Sequence, residues 1–295
     1  MNIHILGPIG TYSHEVATKL FTETDNCVFV FHPRNQAVLQ ALEKDPDGQS
    51  IAVIPIENST RGLVEEVIGY WRKAMDQTQK QIMRGPLHVC GEYGLPVQHC
   101  LVIKPESAGQ KIRRIFSHPQ ALGQCGENIQ KLIQVQKIQI ETIPTSSTAA
   151  SISEMKEVGD AVICSVFCAT KNEGLVLNQN FNDFSANKTR FHILSKKKPA
   201  FNYCENKTAV LYYLRDEPGS ATNASWSVSA GRVNITTEHS IPTGDPGVYA
   251  FYKEFDESVR NIEGRRILKR LSTFAEKILI LGSYKSDLSV KGGGK

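Results

Sequence analysis

One unit recurs along the first two thirds of this chain: a short apolar run, a turn of glycine or small polar residues, then a helical pattern. Ile3 to Leu6 runs into Gly7-Pro8-Ile9-Gly10-Thr11-Tyr12-Ser13, after which Val16, Leu20 and Phe21 recur at helical spacing. Such a junction leaves backbone N–H groups free at the positive end of a helix, where an anion can sit. Ile51-Ala52-Val53-Ile54-Pro55-Ile56 is a near-continuous apolar strand, of the kind covered on both faces in parallel sheets. It ends in Glu57-Asn58-Ser59-Thr60-Arg61-Gly62, ahead of a helix expected over 63–71. Ser117-His118-Pro119 and Pro144-Thr145-Ser146-Ser147-Thr148 mark two further junctions, with Ser117 as expected N-cap and Gln120 and Gln124 on one helical face. Alternation of this kind implies the α/β class, with a cleft that collects the helix N-termini.

The order of elements divides the chain. Strands are expected over 27–31, 100–103, 112–116, 136–142 and 160–164, while 77–98, interrupted by Gly85-Pro86, Gly91, Gly94 and Pro96, reads as a crossover. The expected first domain, 1–195, thus has one lobe over about 1–85 plus 175–195 and a second over about 86–174. A charged linker follows over 196–204, beginning Lys196-Lys197-Lys198. Residues 205–285 then read strand, helix, strand, strand, helix, strand, the order of a small ferredoxin-like (βαββαβ) domain, and 286–295 read as a flexible tail.

Composition excludes several classes of partner. The net charge of +4 rests partly on the lysines of the linker and the tail, which reads as solvated chain and not as a nucleic-acid stripe. Met1 to Leu6 lacks a basic flank and breaks at Gly7-Pro8, so no signal peptide or membrane span is expected there, and a cytoplasmic location is. Seven cysteines, none spaced Cys-x-x-Cys, predict free thiols and no metal site.

The chemistry is expected at Asn187-Lys188-Thr189-Arg190-Phe191, where a neutral hydroxyl donor stands beside a fixed cation. That pair suits an anion that loses a hydroxyl. In chain order, the segments 7–13, Pro55-Ile56-Glu57-Asn58-Ser59, Gly91-Glu92 with Leu95-Pro96 and His99, Ser117 to Leu122 with Gln124-Cys125, Ser147-Thr148-Ala149 and Thr189-Arg190-Phe191 resemble the motifs of the prephenate dehydratase family, in its form with a C-terminal ACT regulatory domain. The resemblance continues to Gly282-Ser283-Tyr284 and so covers nearly the whole chain. It implies a two-lobed, periplasmic-binding-protein-like catalytic domain followed by a ferredoxin-like ACT domain. It also implies a carbon–oxygen lyase, without cofactor or metal, that converts prephenate to phenylpyruvate with loss of carbon dioxide and water, in L-phenylalanine biosynthesis.

By the same resemblance Thr189 donates to the departing hydroxyl, and Asn58, Gln124 and Ser117 hold polar groups of the substrate. Glu57 joins this set either in the chemistry or at the hinge between lobes, since a carboxylate facing a dianion repels it. Arg190 either pairs a substrate carboxylate or braces the loop. Gly10, Thr11, Tyr12, Ser13, Ser59, His118, Ser147, Thr148 and Phe191 complete the expected substrate-binding set. Gly219, Ser220, His239 and Ser240 stand where the family's phenylalanine-binding motifs fall, but Pro218-Gly219-Ser220-Ala221 and His239-Ser240-Ile241-Pro242 keep only part of each. The L-phenylalanine effector is therefore predicted to bind weakly or not at all. The resemblance implies a homodimer or homotetramer. Arogenate as substrate and a non-catalytic amino-acid or solute sensor are the alternatives.

Overall fold

The structure, a computed structural model, describes residues 1–21, 26–184, 187–197, 205–245 and 248–287. Positions 198–204 of the expected linker and the tail from 288 onward lie outside the described residues. The chain begins β1 (Asn2–Leu6), α1 (Tyr12–Leu20), β2 (Val28–His32), α2 (Asn35–Glu43), β3 (Ile51–Asn58), the short β4 (Gly62–Leu63), α3 (Glu65–Asp76), β5 (Ile82–Arg84) and β6 (His88–Pro96). It continues with β7 (Cys100–Ile103), β8 (Arg114–Ser117), α4 (Pro119–Gln124), α5 (Gly126–Gln136), β9 (Glu141–Pro144), β10 (Asp160–Cys164), α6 (Val166–Lys171), β11 (Leu175–Asn178) and β12 (Lys188–Ser195). The last segment is β13 (Lys207–Leu214), α7 (Ser220–Ser229), β14 (Ile235–Pro242), β15 (Tyr249–Phe255), α8 (Ile262–Phe274) and β16 (Ala275–Tyr284).

These strands form three sheets. The first runs β2-β1-β3-β12-β6, parallel through β1 and its two neighbours, with β12 antiparallel between β3 and β6. The second runs β11-β7-β10-β8-β9. The third runs β14-β15-β13-β16, all antiparallel, with β5 added parallel to β16. Several expectations need correction. The stretch expected as a crossover supplies β5 to the third sheet and the long β6 to the first, because Gly91 and Gly94 sit within β6 and do not end it. Leu175–Asn178, expected to return to lobe one, pairs with β7 in the second sheet. Gln136 closes α5 and does not open a strand, and the strand expected there begins at Glu141. The helix expected after Thr148 is a short 3-10 turn, Ala150–Glu154.

Local rules account for the helix starts that matter to the site. Thr11 caps α1, its Oγ1 accepting from the His14 N–H at 3.3 Å, and Glu15 and Lys19 lie at the helix ends that suit their charges. The N-cap of α4 is His118, whose Nδ1 accepts from the Gln120 N–H at 3.2 Å, with Pro119 in the first turn. Gly10, at φ +91°, makes the turn before α1, and a Cβ there would lie 2.8 Å from Cys168 Sγ of α6.

One apolar core joins the first and third sheets. Trp71, Val89 and Leu194 pack with Leu211, Tyr252, Leu281 and Tyr284 in a single buried cluster. Each such side chain contributes about 1.5–3 kcal/mol on burial, so the third sheet is docked and not tethered. The approach is close enough that a Cβ at Gly282 of β16 would meet the Val89 carbonyl oxygen. The other face of the first sheet is covered by α1, and α7 and α8 cover the far face of the third. Among the described residues no helix is long and apolar enough to cross a membrane.

Candidate active site

A cavity of about 290 Å³ opens between the first and second sheets. The start of α1 brings Thr11, Tyr12 and Ser13 to it, and the ends of β3 and β12 bring Asn58, Thr189 and Phe191. From the other side come His118, Gln120 and Gln124 of α4 and the loop residues Ser146, Ser147 and Thr148; His99 and Asn187 close it. Ten of the expected residues thus converge, namely Thr11, Tyr12, Ser13, Asn58, His118, Gln124, Ser147, Thr148, Thr189 and Phe191. Among the described residues the lining has no Lys, Arg, Asp or Glu.

Side-chain amides tie the two halves together. Asn58 Nδ2 donates to Thr189 Oγ1 and to Asn187 Oδ1, each at 2.9 Å. Both amide hydrogens are then committed, so Thr189 is the acceptor and its own hydroxyl hydrogen is left to donate. Asn58 Oδ1 accepts from Thr60 Oγ1 at 2.6 Å and Gln120 Nε2 at 3.3 Å. Asn187 Nδ2 donates to Gln124 Oε1 at 3.1 Å, and that oxygen also accepts from His99 Nε2 at 3.0 Å. His99 is therefore the Nε2-protonated tautomer, and its Nδ1 accepts from the Tyr12 hydroxyl at 3.0 Å. Burial outweighs the Gln124 bond and pushes His99 below its ordinary value of 6.5. Burial likewise lifts the Tyr12 phenol well above its ordinary value, so both groups stay neutral.

Five expected residues lie elsewhere. Ser117 is the last residue of β8 and fully buried, and its hydroxyl donates to the Ile163 carbonyl at 2.6 Å, which turns it into the second sheet. Gly10 shapes the turn behind the cavity and donates its N–H to His14 Nδ1. Ser59 is no helix cap, since α3 starts at Glu65; it donates to Asn187 Oδ1 and accepts from the Lys188 N–H, pinning β12. Glu57 and Arg190 are strand neighbours of Asn58 and Thr189, and successive side chains of a strand point to opposite faces. Both therefore face the third sheet.

There Arg190 is held by three carboxylates. Its Nε donates to Glu57 Oε2 at 2.9 Å, and Nη1 reaches Glu92 Oε2 at 2.8 Å and Glu254 Oε2 at 2.7 Å. Lys207 Nζ lies 3.1 Å from Glu92 and 3.3 Å from Glu254. Burial raises Glu254, but His192, Arg190 and Lys207 outweigh it and hold the carboxyl well below the usual carboxylate range. Glu92, His192 and Glu254 converge closely enough to suggest a metal, yet Arg190 and Lys207 already neutralise the two carboxylates. Of the expected effector residues, His239 lies in this region, its Nε2 3.0 Å from Glu57 Oε1. Ser220, beside Gly219 at the start of α7, lines a different cavity next to α3, and Ser240 is exposed on β14. Within one chain the four do not lie together.

Gln120, Asn187, His99 and Thr60 join the network without having been singled out for it. Gln120 could have been found from its helical face shared with Gln124. Asn187 and His99 stand in segments already singled out, but their roles come from partners distant in the chain.

The prephenate dehydratase family model matches residues 3–199. Arogenate dehydratase/prephenate dehydratase 1, chloroplastic, of Arabidopsis thaliana is 30% identical over 305 residues, covering 98% of this chain and 73% of that protein. The prephenate dehydratase of Methanocaldococcus jannaschii is 29% identical over 282 residues, covering 94% of this chain and 95% of that protein. Among solved structures, prephenate dehydratase from Arthrobacter aurescens in complex with L-Phe superposes with a TM-score of 0.78 at 25% identity, over 96% of this chain and 90% of that one.

Proposed function

The chain belongs to the prephenate dehydratase family and is a carbon–oxygen lyase, and from that premise we propose that Thr189 is its hydrogen donor, with prephenate the substrate. The observation that carries this role is the committed Asn58 amide, which leaves the Thr189 hydroxyl hydrogen to donate into the cavity. Prephenate carries two carboxylates and a ring hydroxyl. Its ring carboxylate leaves as carbon dioxide while the hydroxyl departs, and aromatisation drives both. Thr189 hydrogen-bonds the departing oxygen, which leaves as water on gaining a proton relayed from water through this hydroxyl. A threonine hydroxyl is too weak an acid to give up its own proton unreplaced, and Asn58 Nδ2 holds Oγ1 in place for the relay. Ser13, Ser147 and Thr148 supply neutral donors for the carboxylates. With no cation in the lining among the described residues, the ring carboxylate loses no ion pair to them when it departs. Gln124, Asn187 and His99 hold the two sides of the cleft in register.

The third sheet with α7 and α8, over 205–285, is assigned to an ACT regulatory domain on its βαββαβ order. His239 is occupied with Glu57 and is not beside Ser220, which supports weak or absent binding of L-phenylalanine. Assembly as a homodimer or homotetramer through this domain, and a cytoplasmic setting that keeps Cys27, Cys90, Cys100, Cys125, Cys164 and Cys168 as free thiols, complete the reading.

The test is direct. Purified protein is given prephenate and arogenate in turn, and phenylpyruvate and phenylalanine are measured. Faster formation of phenylpyruvate is expected; faster formation of phenylalanine makes arogenate the substrate, and no turnover of either overturns the assignment to Thr189.

A further inference from the structure

The ion cluster behind β12 has no part in holding substrate, yet it grips the immediate neighbours of both reacting-side residues. Thr189 faces Asn58 across the β12–β3 ladder, and the next pair along is Arg190 with Glu57. Thr189 and Asn58 turn to the cavity, whereas Arg190 and Glu57 turn to the third sheet. From that sheet Glu254 takes the guanidinium as a fork, Oε2 with Nη1 at 2.7 Å and Oε1 with Nη2 at 3.2 Å. Thr237 Oγ1 accepts from Nη2 at 3.3 Å, and His239 reaches the far oxygen of Glu57. A paired fork fixes the plane of the guanidinium as well as its distance. Glu254 itself is fully buried.

A second observation lies in the backbone. The β12–β3 register shifts between Arg190 and Phe191, immediately after the catalytic pair. A shift of this kind disrupts the β3 ladder locally, while pairing with β6 continues in register through Thr189, Arg190 and Phe191, so side-chain ties add to the backbone ladder in placing the strand end. On the face away from the cavity those ties are supplied from another sheet.

We propose that Glu254, assisted by Thr237 and His239, is a positioning residue for Thr189 and Asn58, acting through Arg190 and Glu57. The third sheet thereby sets turnover from the face of the strand opposite the cavity. Any event that moves β14 or β15 by a fraction of an ångström shifts the donor relative to the departing hydroxyl. The inference rests on the proposed role of Thr189.

Glu254→Gln keeps the shape and removes the charge; Thr237→Val removes one weak tie; Ile267→Val, in the core between α8 and the third sheet, serves as a control unconnected to Arg190. Each is compared with wild type for kcat, KM, melting temperature and hydrogen exchange across 187–193. Glu254→Gln is expected to lower kcat about tenfold or more with little change in KM, since misplacement near the chemistry acts on the rate. Exchange across 187–193 should rise with it, Thr237→Val should move both readouts less in the same direction, and Ile267→Val should lower the melting temperature alone. Wild-type kcat in Glu254→Gln, or an equal loss in Ile267→Val, overturns the proposal. If Glu254→Gln does not fold, unchanged kcat and exchange in Thr237→Val overturn it. Should wild type turn over neither ring acid, the reading of Thr189 fails separately, and exchange across 187–193 still decides whether the third sheet orders the strand.

Discussion

The two faces of β12 use opposite chemistry one residue apart. Toward the cavity, among the described residues, Thr189 meets neutral donors and acceptors. Toward the third sheet, Arg190 lies among Glu57, Glu92 and Glu254 with Lys207 alongside. Charge on the back face is tolerated because each buried ion finds partners of opposite sign at hydrogen-bond distance. On the front, under the proposed reaction, a fixed cation would hold the very carboxylate that has to leave. On that proposal the contrast separates two tasks: neutral groups for the chemistry, and ion pairs for the placing of the strand.

Four measurements sharpen or break that contrast. Thr189→Ala should lower kcat by about 10²–10⁴-fold, the range for loss of a proton-donating group, while the melting temperature stays near wild type. A large fall in stability there would erase the division of labour. Arg190→Met should lower stability in urea unfolding by about 3–5 kcal/mol, since it strands buried carboxylates beside a lone Lys207; an unchanged midpoint would show that the back face is not held by its charges. His99→Ala, which removes the bonds to Gln124 and Tyr12, should lower kcat/KM by about thirtyfold at roughly 1 kcal/mol per bond lost. Equal kinetics would remove His99 from the front-face network.

The smallest effect is one of pH. Burial, chiefly, lowers His99 and His118 at the cavity and His4 and His32 between β1 and β2 below their ordinary value of 6.5. The unfolded chain binds these protons more readily than the folded one. Their contribution to stability is therefore complete above about pH 6.5 and is lost as the pH falls through the lowered values. Glu254 is depressed as a carboxylate, so its contribution persists to much lower pH. Melting temperature should fall between about pH 7 and about pH 5.5, by roughly 2–4 °C for each kcal/mol lost. Glu254→Gln should leave that slope in place, and disappearance of the slope would mean that the two faces titrate together.

Much of the fold was legible in local pattern. The apolar run at 51–56, the glycine turn at 7–13 feeding a helix and the βαββαβ order of the last segment all appear as elements where expected. Most of the cavity lining was legible too, because polar residues cluster where strands meet helices. Ser117 lies away from the cavity, and of the two roles weighed for Arg190 its place among carboxylates agrees with bracing, for related reasons. Ser117 lies in the strand and not at the cap, one position from where its type suggested, and the hydroxyl turns into the sheet. Arg190 stands beside Thr189 in the chain, but the two-residue period of a strand sends adjacent side chains apart.

The amino-acid order alone determined the alternation of strands and helices, the helix starts and the residue types gathered at their tips, because caps, turns and periodicity act over a few residues. Only the tertiary structure decided which face each residue shows and which distant residue it meets. Asn58 and Asn187 are 129 residues apart in the chain yet share a hydrogen bond, and β6 looks like interrupted loop until β12 pairs with it. Ladder partners and ion pairs across sheets depend on contacts no short window contains, so the orientation of the site was settled by packing.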